Sequence, residues 1–332
     1  MKWYILKRVA WAFVATLVIL SVTFALMYIT PDTRMAELQF QAAMAGQDPD
    51  AAGQAYAEQR GLDQPFHVQY IDFMGNMLSL NWGWSDTRSQ PVTDALLAAI
   101  PYSMMYGVPA VIVSTIVGIG IGLYSATNQY TKTDYVATFV AFFGVSIPNF
   151  WFAIILLVFF GSYLGWVDIL FDPNASRIDG EFALRAIFSW ENIQQLILPT
   201  FVLMTGAIAS NMRYSRAEAL EWIEAEFVKT AKAKGVDDRT ILYKHIFRPA
   251  SVPLATIFVG DILGIIFVGS YLIEVVFGIP GLGYLSFRAI ENQDTALVFG
   301  TIFVPVFIAI IGNLAQDIAY VILDPRIDYG DR

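Results

Sequence analysis

Apolar residues in this chain fall in long runs, without the strict alternation of a half-buried strand or the one-sided stripe of a surface helix. Six stretches are long enough to cross about 30 Å of hydrocarbon at about 1.5 Å per residue. They cover about Val9 to Ile29, Met104 to Ala126, Val136 to Leu164, Ile193 to Met212, Val252 to Ile273 and Ala296 to Leu323. The first follows Lys2, Lys7 and Arg8, as the core of a signal peptide would. Its apolar run is about twenty residues, too long for an h-region, and the end at Met27-Tyr28-Ile29-Thr30-Pro31 offers no small-residue cleavage site, so it reads as an anchor. Within the third, Ser146-Ile147-Pro148-Asn149 predicts a kink or break, because proline removes a backbone donor. An even number of spans places both termini on one side of a membrane.

Composition agrees with the pattern. Hydrophobic residues make up 56% of 332 and charged ones only 15%, which makes lipid the main solvent. The absence of cysteine excludes disulfides, thiolate metal sites and cysteine nucleophiles. A formal charge of -9 argues against nucleic acid as a partner, since neutralising phosphates needs a basic face.

Flanking cations set the orientation. Lys2, Lys7 and Arg8 precede the first span, and Arg213, Arg216, Lys229, Lys232, Lys234, Arg239, Lys244 and Arg248 lie between the fourth and fifth, so both regions are expected in the cytoplasm. Residues 31–100 carry Arg34, Arg60 and Arg88 against nine acids from Asp32 to Asp94, and are expected outside, as is the acid-rich loop over 165–192. The expected organisation is an arm and first helix over 1–30, an extracellular segment over 31–103, and a core over 104–332 with five transmembrane helices and a cytoplasmic loop at about 213–250.

That loop is the most informative stretch. Alanines and lysines from Glu226 favour a helix, Gly235 suits the left-handed position just past its end, and Asp237 or Asp238 can cap a second helix. Small residues at Ala231 and Ala233 leave the first helix narrow enough for a protein groove to accept it.

The segment Thr230-Ala231-Lys232-Ala233-Lys234-Gly235 resembles the coupling loop, or EAA motif, of ABC-importer permeases of the dipeptide, oligopeptide and nickel branch. Three further blocks look like that family: Gly61-Leu62-Asp63-Gln64-Pro65-Phe66-His67-Val68-Gln69-Tyr70, then Glu274 to Gly283, then Asp317 to Arg326. Together they span nearly the whole chain. One departure is Pro31-Asp32, where the family commonly has a longer Pro-Gly-Asp-Pro-like turn.

The resemblance implies an all-α polytopic membrane protein of the type I ABC importer permease fold. It implies a partnership of two homologous permeases, two cytoplasmic ATP-binding subunits and an extracellular substrate-binding protein. Thr230, Ala231, Ala233, Lys234, Gly235 and Asp238 would couple to the ATPase. No catalytic residue, metal or cofactor is expected in this chain, which has no G-x-x-x-x-G-K-[ST] loop to hold nucleotide phosphates.

Other features have plainer readings. Gly278 to Gly283 follows no predicted strand, so it reads as a rigid turn or re-entrant segment and not as a phosphate loop. Gly118 with Gly122, and Gly260 with Gly264, are small-residue pairs that let helices approach. His67 and His245 fall on opposite sides of the membrane and cannot share a metal, and Asn174-Ala175-Ser176 is a formal glycosylation sequon.

Asp261 stands apart. About nine residues into its span, it would lie near the bilayer centre, where a carboxylate costs about 2.5 to 3.5 kcal/mol, so it should face the bundle interior. It is a candidate pathway or gate residue, or a hydrogen-bond partner for a neighbouring helix. Glu274 and Asp317 are further pathway or gate candidates, but they lie nearer span ends, where water can partly solvate them, which favours structural roles for both. A secondary transporter would also show a buried carboxylate but would need no helix-glycine-helix element. An intramembrane hydrolase using Asp261 and Glu274 is disfavoured, because thirteen residues put them about 220° apart on one helix. Within the ABC reading, nickel or an oligosaccharide are alternative cargoes.

Overall fold

The computed structural model describes residues 2–29, 33–178, 181–268 and 270–323. Helices dominate. In order they are α1 (Lys2–Ile29), α2 (Thr33–Met44), α3 (Pro49–Arg60), α4 (Phe66–Leu78), α5 (Val92–Thr127), α6 (Lys132–Ser146), α7 (Asn149–Leu156), α8 (Trp190–Ile223), α9 (Glu226–Ala233), α10 (Asp238–Thr240), α11 (Arg248–Val268), α12 (Tyr271–Phe277), α13 (Leu282–Glu291) and α14 (Thr295–Leu323). Wide π-helical turns extend α7 through Tyr163 and join α10 to α11 over Ile241–Phe247. Among the described residues there are also two small antiparallel hairpins, β1 (Trp84–Ser85) with β2 (Gln90–Pro91) and β3 (Arg177–Ile178) with β4 (Glu181–Phe182).

By length and composition, five helices among the described residues can cross a membrane, and there are up to seven crossings if each of two bent pairs counts as one. The pairs are α6 with α7, bent by 93°, and α12 with α13, bent by 82°. The first is the break expected at Pro148. The second differs from expectation: the span predicted to reach Ile273 stops at Val268, and Ile273 belongs to the separate helix α12. The Ser270 N–H goes to side chains, the Tyr106 hydroxyl at 3.1 Å and Glu274 Oε1 at 3.2 Å, so it does not extend the α11 ladder.

The chain forms two compact units, Met1–Ala98 with Arg288–Arg332, and Ala99–Phe287. In the first, Leu20, Met77 and Phe303 are buried among Phe73, Trp82, Phe299 and Phe307, and Phe24 meets Phe66, Tyr70 and Phe73 at centroid distances of 5.3 to 5.4 Å. Asp294 caps α14 through Leu297 N at 3.1 Å and accepts from Ser85 Oγ at 2.6 Å and Thr87 N at 3.1 Å, tying the β1–β2 hairpin to that helix.

In the second unit, α5, α6 and α8 pack closely. A side chain at Gly118 would strike Asn211 and the Ile208 carbonyl, and one at Gly122 would overlap Ser215 and the Met212 carbonyl, so both glycines seat α5 against the α8 backbone. The pair Gly260 and Gly264 behaves differently. Nothing lies within 4 Å of where their Cβ atoms would stand, so the close contact expected there is absent among the described residues. Interior prolines such as Pro109 leave their helices intact, and the Thr200 hydroxyl reaches the nearby Tyr106 carbonyl at 3.4 Å.

Candidate functional site

The loop between α8 and α11 folds as helix, glycine corner, helix. Gly235 has φ +76°, Val236 N donates to Ala231 O at 3.2 Å and Gly235 N to Lys232 O at 3.0 Å, which is the Schellman closure of α9. Asp237 then caps α10 by accepting from Thr240 N at 2.9 Å. Hydrogen bonding from the Thr240 hydroxyl, and then from its amide, holds the carboxyl below the usual carboxylate range, so the cap is present at neutral pH and weakens as pH falls through the depressed value.

Val228 and Ala231 point α9 inward onto Leu123 and Ala126 of α5, Ala219 of α8, and Ile241 and Ile246 of the π-helical turn. Burial of Val228 alone contributes about 2 kcal/mol. The opposite face is exposed and carries Glu226, Lys229, Thr230, Ala233 and, past the helix end, Lys234 and Asp238. The two alanines therefore part company. Ala231 fills this chain's own core, and Ala233 is the small residue presented outward.

No heavy atom lies within 4 Å of a Cβ built on Gly235, so only its positive φ restricts substitution. Gly235→Asn should therefore assemble and function nearly as the parent, whereas Gly235→Val should lose about 1–2 kcal/mol of stability, read as a lower melting midpoint of the purified chain. Equal midpoints would show that the corner does not need the left-handed conformation.

The three membrane carboxylates fall in different surroundings. Asp261 is exposed on α11, with no hydrogen bond or ion pair among the described residues. Asp317 lies in α14, with its side chain outside the described residues. Glu274 corrects the expectation of a partly solvated group, for it is fully buried. Its Oε1 accepts from Ser103 Oγ at 2.7 Å, Tyr106 OH at 2.8 Å and Ser270 N at 3.2 Å, and its Oε2 from Tyr284 N at 3.0 Å. Ser103 Oγ in turn accepts from Leu282 N at 2.9 Å. Gly281 is close enough that a Cβ there would stand 2.5 Å from both Glu274 Oε2 and Ser103 Oγ. The carboxylate thus pins the hairpin of α12 and α13 to α5 in a buried cage of hydrogen bonds.

Sequence reasoning missed Ser103 and Tyr106. Their spacing of three puts them on one face of α5, but no local signal pairs that face with a residue some 170 positions away. It also counted Arg216 only as a flanking cation, although Arg216 Nη2 meets buried Asp134 Oδ2 at 3.0 Å. Among the described residues no cluster of His, Asp and Glu is arranged to hold a metal ion.

Long apolar helices, two sharply broken helix pairs and one polar helix-corner-helix segment define a polytopic membrane protein. Residues 118–329 match the family described as "Binding-protein-dependent transport system inner membrane component", and residues 1–86 match its N-terminal companion. The chain belongs to that family: it is the permease subunit of an ABC importer, not an enzyme, and works with a substrate-binding protein and ATPase partners. It is 32% identical over 327 residues to the oligopeptide transport system permease protein AppB of Bacillus subtilis, covering 98% of this chain and 99% of that one. It is similar also to the dipeptide transport system permease protein DppB of Alkalihalophilus pseudofirmus, at 30% over 322 residues, 93% of this chain and 94% of the other. The inner membrane ABC transporter permease protein YejB of Escherichia coli O157:H7 is 30% identical over 291 residues, 86% of this chain and 78% of its own length.

Proposed function

We propose that this permease forms half of a peptide-conducting pathway, pairing with a second homologous permease above two ATP-binding subunits. The observation that carries the reading is the α9 corner, which is rigidly seated on one side and presents a small, polar, lysine-edged surface on the other. Closure of the ATPases would push on that surface, and the helices packed beneath it would carry the motion into the membrane. Thr230, Ala233, Lys234 and Asp238 would make the contact, while Ala231 and Gly235 hold the shape. Both termini lie in the cytoplasm on this reading, by the excess of lysine and arginine beside α1 and between α8 and α11. Peptide cargo is favoured by the likeness to an oligopeptide and a dipeptide transport permease.

Asp261 supports the pairing. An aspartate near mid-span disfavours lipid by about 2.5 to 3.5 kcal/mol, and in the single chain it has no described polar partner, so the second permease and a wet interior between the two supply its surroundings. The test is reconstitution of the complex in vesicles with a peptide-loaded binding protein. Uptake should require ATP, and uptake driven by an ion gradient without ATP would instead support a secondary transporter. Asp261→Asn should lower uptake of cationic peptides several-fold more than of neutral ones, with assembly retained. Equal loss for both cargoes would remove Asp261 from the pathway.

A further inference from the structure

We propose that Asp134 and Arg216 act as a positioning pair that makes α6 follow the coupling helix α9. The proposal rests on the permease reading above and assigns a role to a buried cluster which that reading does not use. Arg216 on α8 reaches two points of α6, Asp134 Oδ2 at 3.0 Å and Thr138 Oγ1 at 3.1 Å. The Asp134 carboxylate also accepts from Ser125 Oγ of α5 and, at 3.0 Å, from Tyr130 N in the α5–α6 turn. One carboxylate therefore gathers α5, the turn, α6 and α8.

The location gives the cluster its consequence. Ala219, three residues beyond Arg216 on α8, is buried in the same apolar group as Val228 and Ala231 of α9, and Ala126, next to Ser125, belongs to that group too. The seat of the coupling helix and the ion pair thus occupy one end of α5 and α8. From there α6 runs toward the break at Pro148, with Gly144 set so close to α8 that a Cβ would stand 3.2 Å from the Thr205 carbonyl. A push on α9 reaches α8 and α5 through apolar contact, which tolerates sliding. Attachment of Arg216 to two points one turn apart fixes the rotation and register of α6 as well as its distance.

Stability alone is a poor account of the pair. An apolar contact would hold the helices without desolvating charges, since Asp134 retains only 4% of its side-chain exposure and Arg216 24%. Arg216 Nε is in addition buried without a partner among the described residues. What the ions add is directional geometry.

The test uses the complete importer in vesicles and measures peptide taken up per ATP hydrolysed, basal hydrolysis, and melting of the assembled complex. Arg216→Lys keeps the charge but cannot make the two-point fork, and Thr138→Val removes one point with the charge pair intact. Each should lower uptake per ATP about three- to tenfold while basal hydrolysis and assembly persist. Should Arg216→Lys fail to assemble, Thr138→Val still decides the matter. Parental uptake per ATP in Thr138→Val, or a loss no greater than the loss of assembled complex, would make the cluster a fold staple and overturn the proposal. A parent complex that shows no ATP-dependent uptake at all would defeat the permease reading itself, whatever the variants do.

Discussion

Glu274→Ala is expected to destabilise the permease by about 3 kcal/mol or more. The carboxylate serves four donors in a fully buried position: the Ser103 and Tyr106 hydroxyls and the Ser270 and Tyr284 amides. Each buried donor left without an acceptor costs about 1–3 kcal/mol, and the vacated volume adds a cavity term. Some of this is recoverable, since Ser270 N also reaches the Tyr106 hydroxyl at 3.1 Å, but Tyr284 N has no second acceptor among the described residues. Glu274→Gln should fall between the two. Its amide keeps the volume and one oxygen, yet its NH2 must face a donor on whichever side it lands. Gly281→Ala should be nearly as severe as Glu274→Ala, because the added methyl would press on two oxygens that the cage holds in place. Melting midpoints of the purified protein should run parent, Gln, Ala from high to low. A Glu274→Ala midpoint equal to the parent's would show that the cage does not hold the hairpin.

How far the sequence disclosed this molecule depended on whether the relevant signal was local. The apolar runs marked out helices long enough to cross a membrane because hydrocarbon thickness fixes their length, but where six spans were expected the described residues hold five such helices, or up to seven crossings with the bent pairs. Pro148 located the break in the third span, and Gly235 with Asp237 located the coupling corner, since the φ of one residue and the cap of another are set by their own chemistry. The end of the fifth span was misplaced because it is decided by Tyr106 and Glu274 capturing Ser270 N, an event among residues more than 160 positions apart. Glu274 was expected to be partly solvated for the same reason, although a structural role was favoured: depth along a span says nothing about which donors converge on a side chain. The glycine pairs show the limit from the other side. Gly118 with Gly122 and Gly260 with Gly264 have identical spacing, but among the described residues only the first pair meets a neighbouring helix.

Bulk on the outer face of α9 should abolish substrate-stimulated ATP hydrolysis, and Ala233→Trp is the variant that tests it. At about 100° per residue, Val228 and Ala231 define the inward direction of α9, and Ala233 lies about 170° from the middle of that stripe. A tryptophan at 233 therefore meets solvent in the isolated chain and costs the fold little, but it would occupy the groove of any subunit that clasps the helix. Ala231→Trp is the instructive contrast. Its side chain would be driven into the apolar group around Val228, Ala219 and Ile246, so overpacking of typically 1–3 kcal/mol should appear as a lower melting midpoint before any question of docking arises. Ala233→Trp is expected to keep the parental midpoint and membrane level, with stimulation of the ATPases by loaded binding protein reduced to the basal rate. Normal stimulation in Ala233→Trp would place the ATPase contact somewhere other than the outer face of α9.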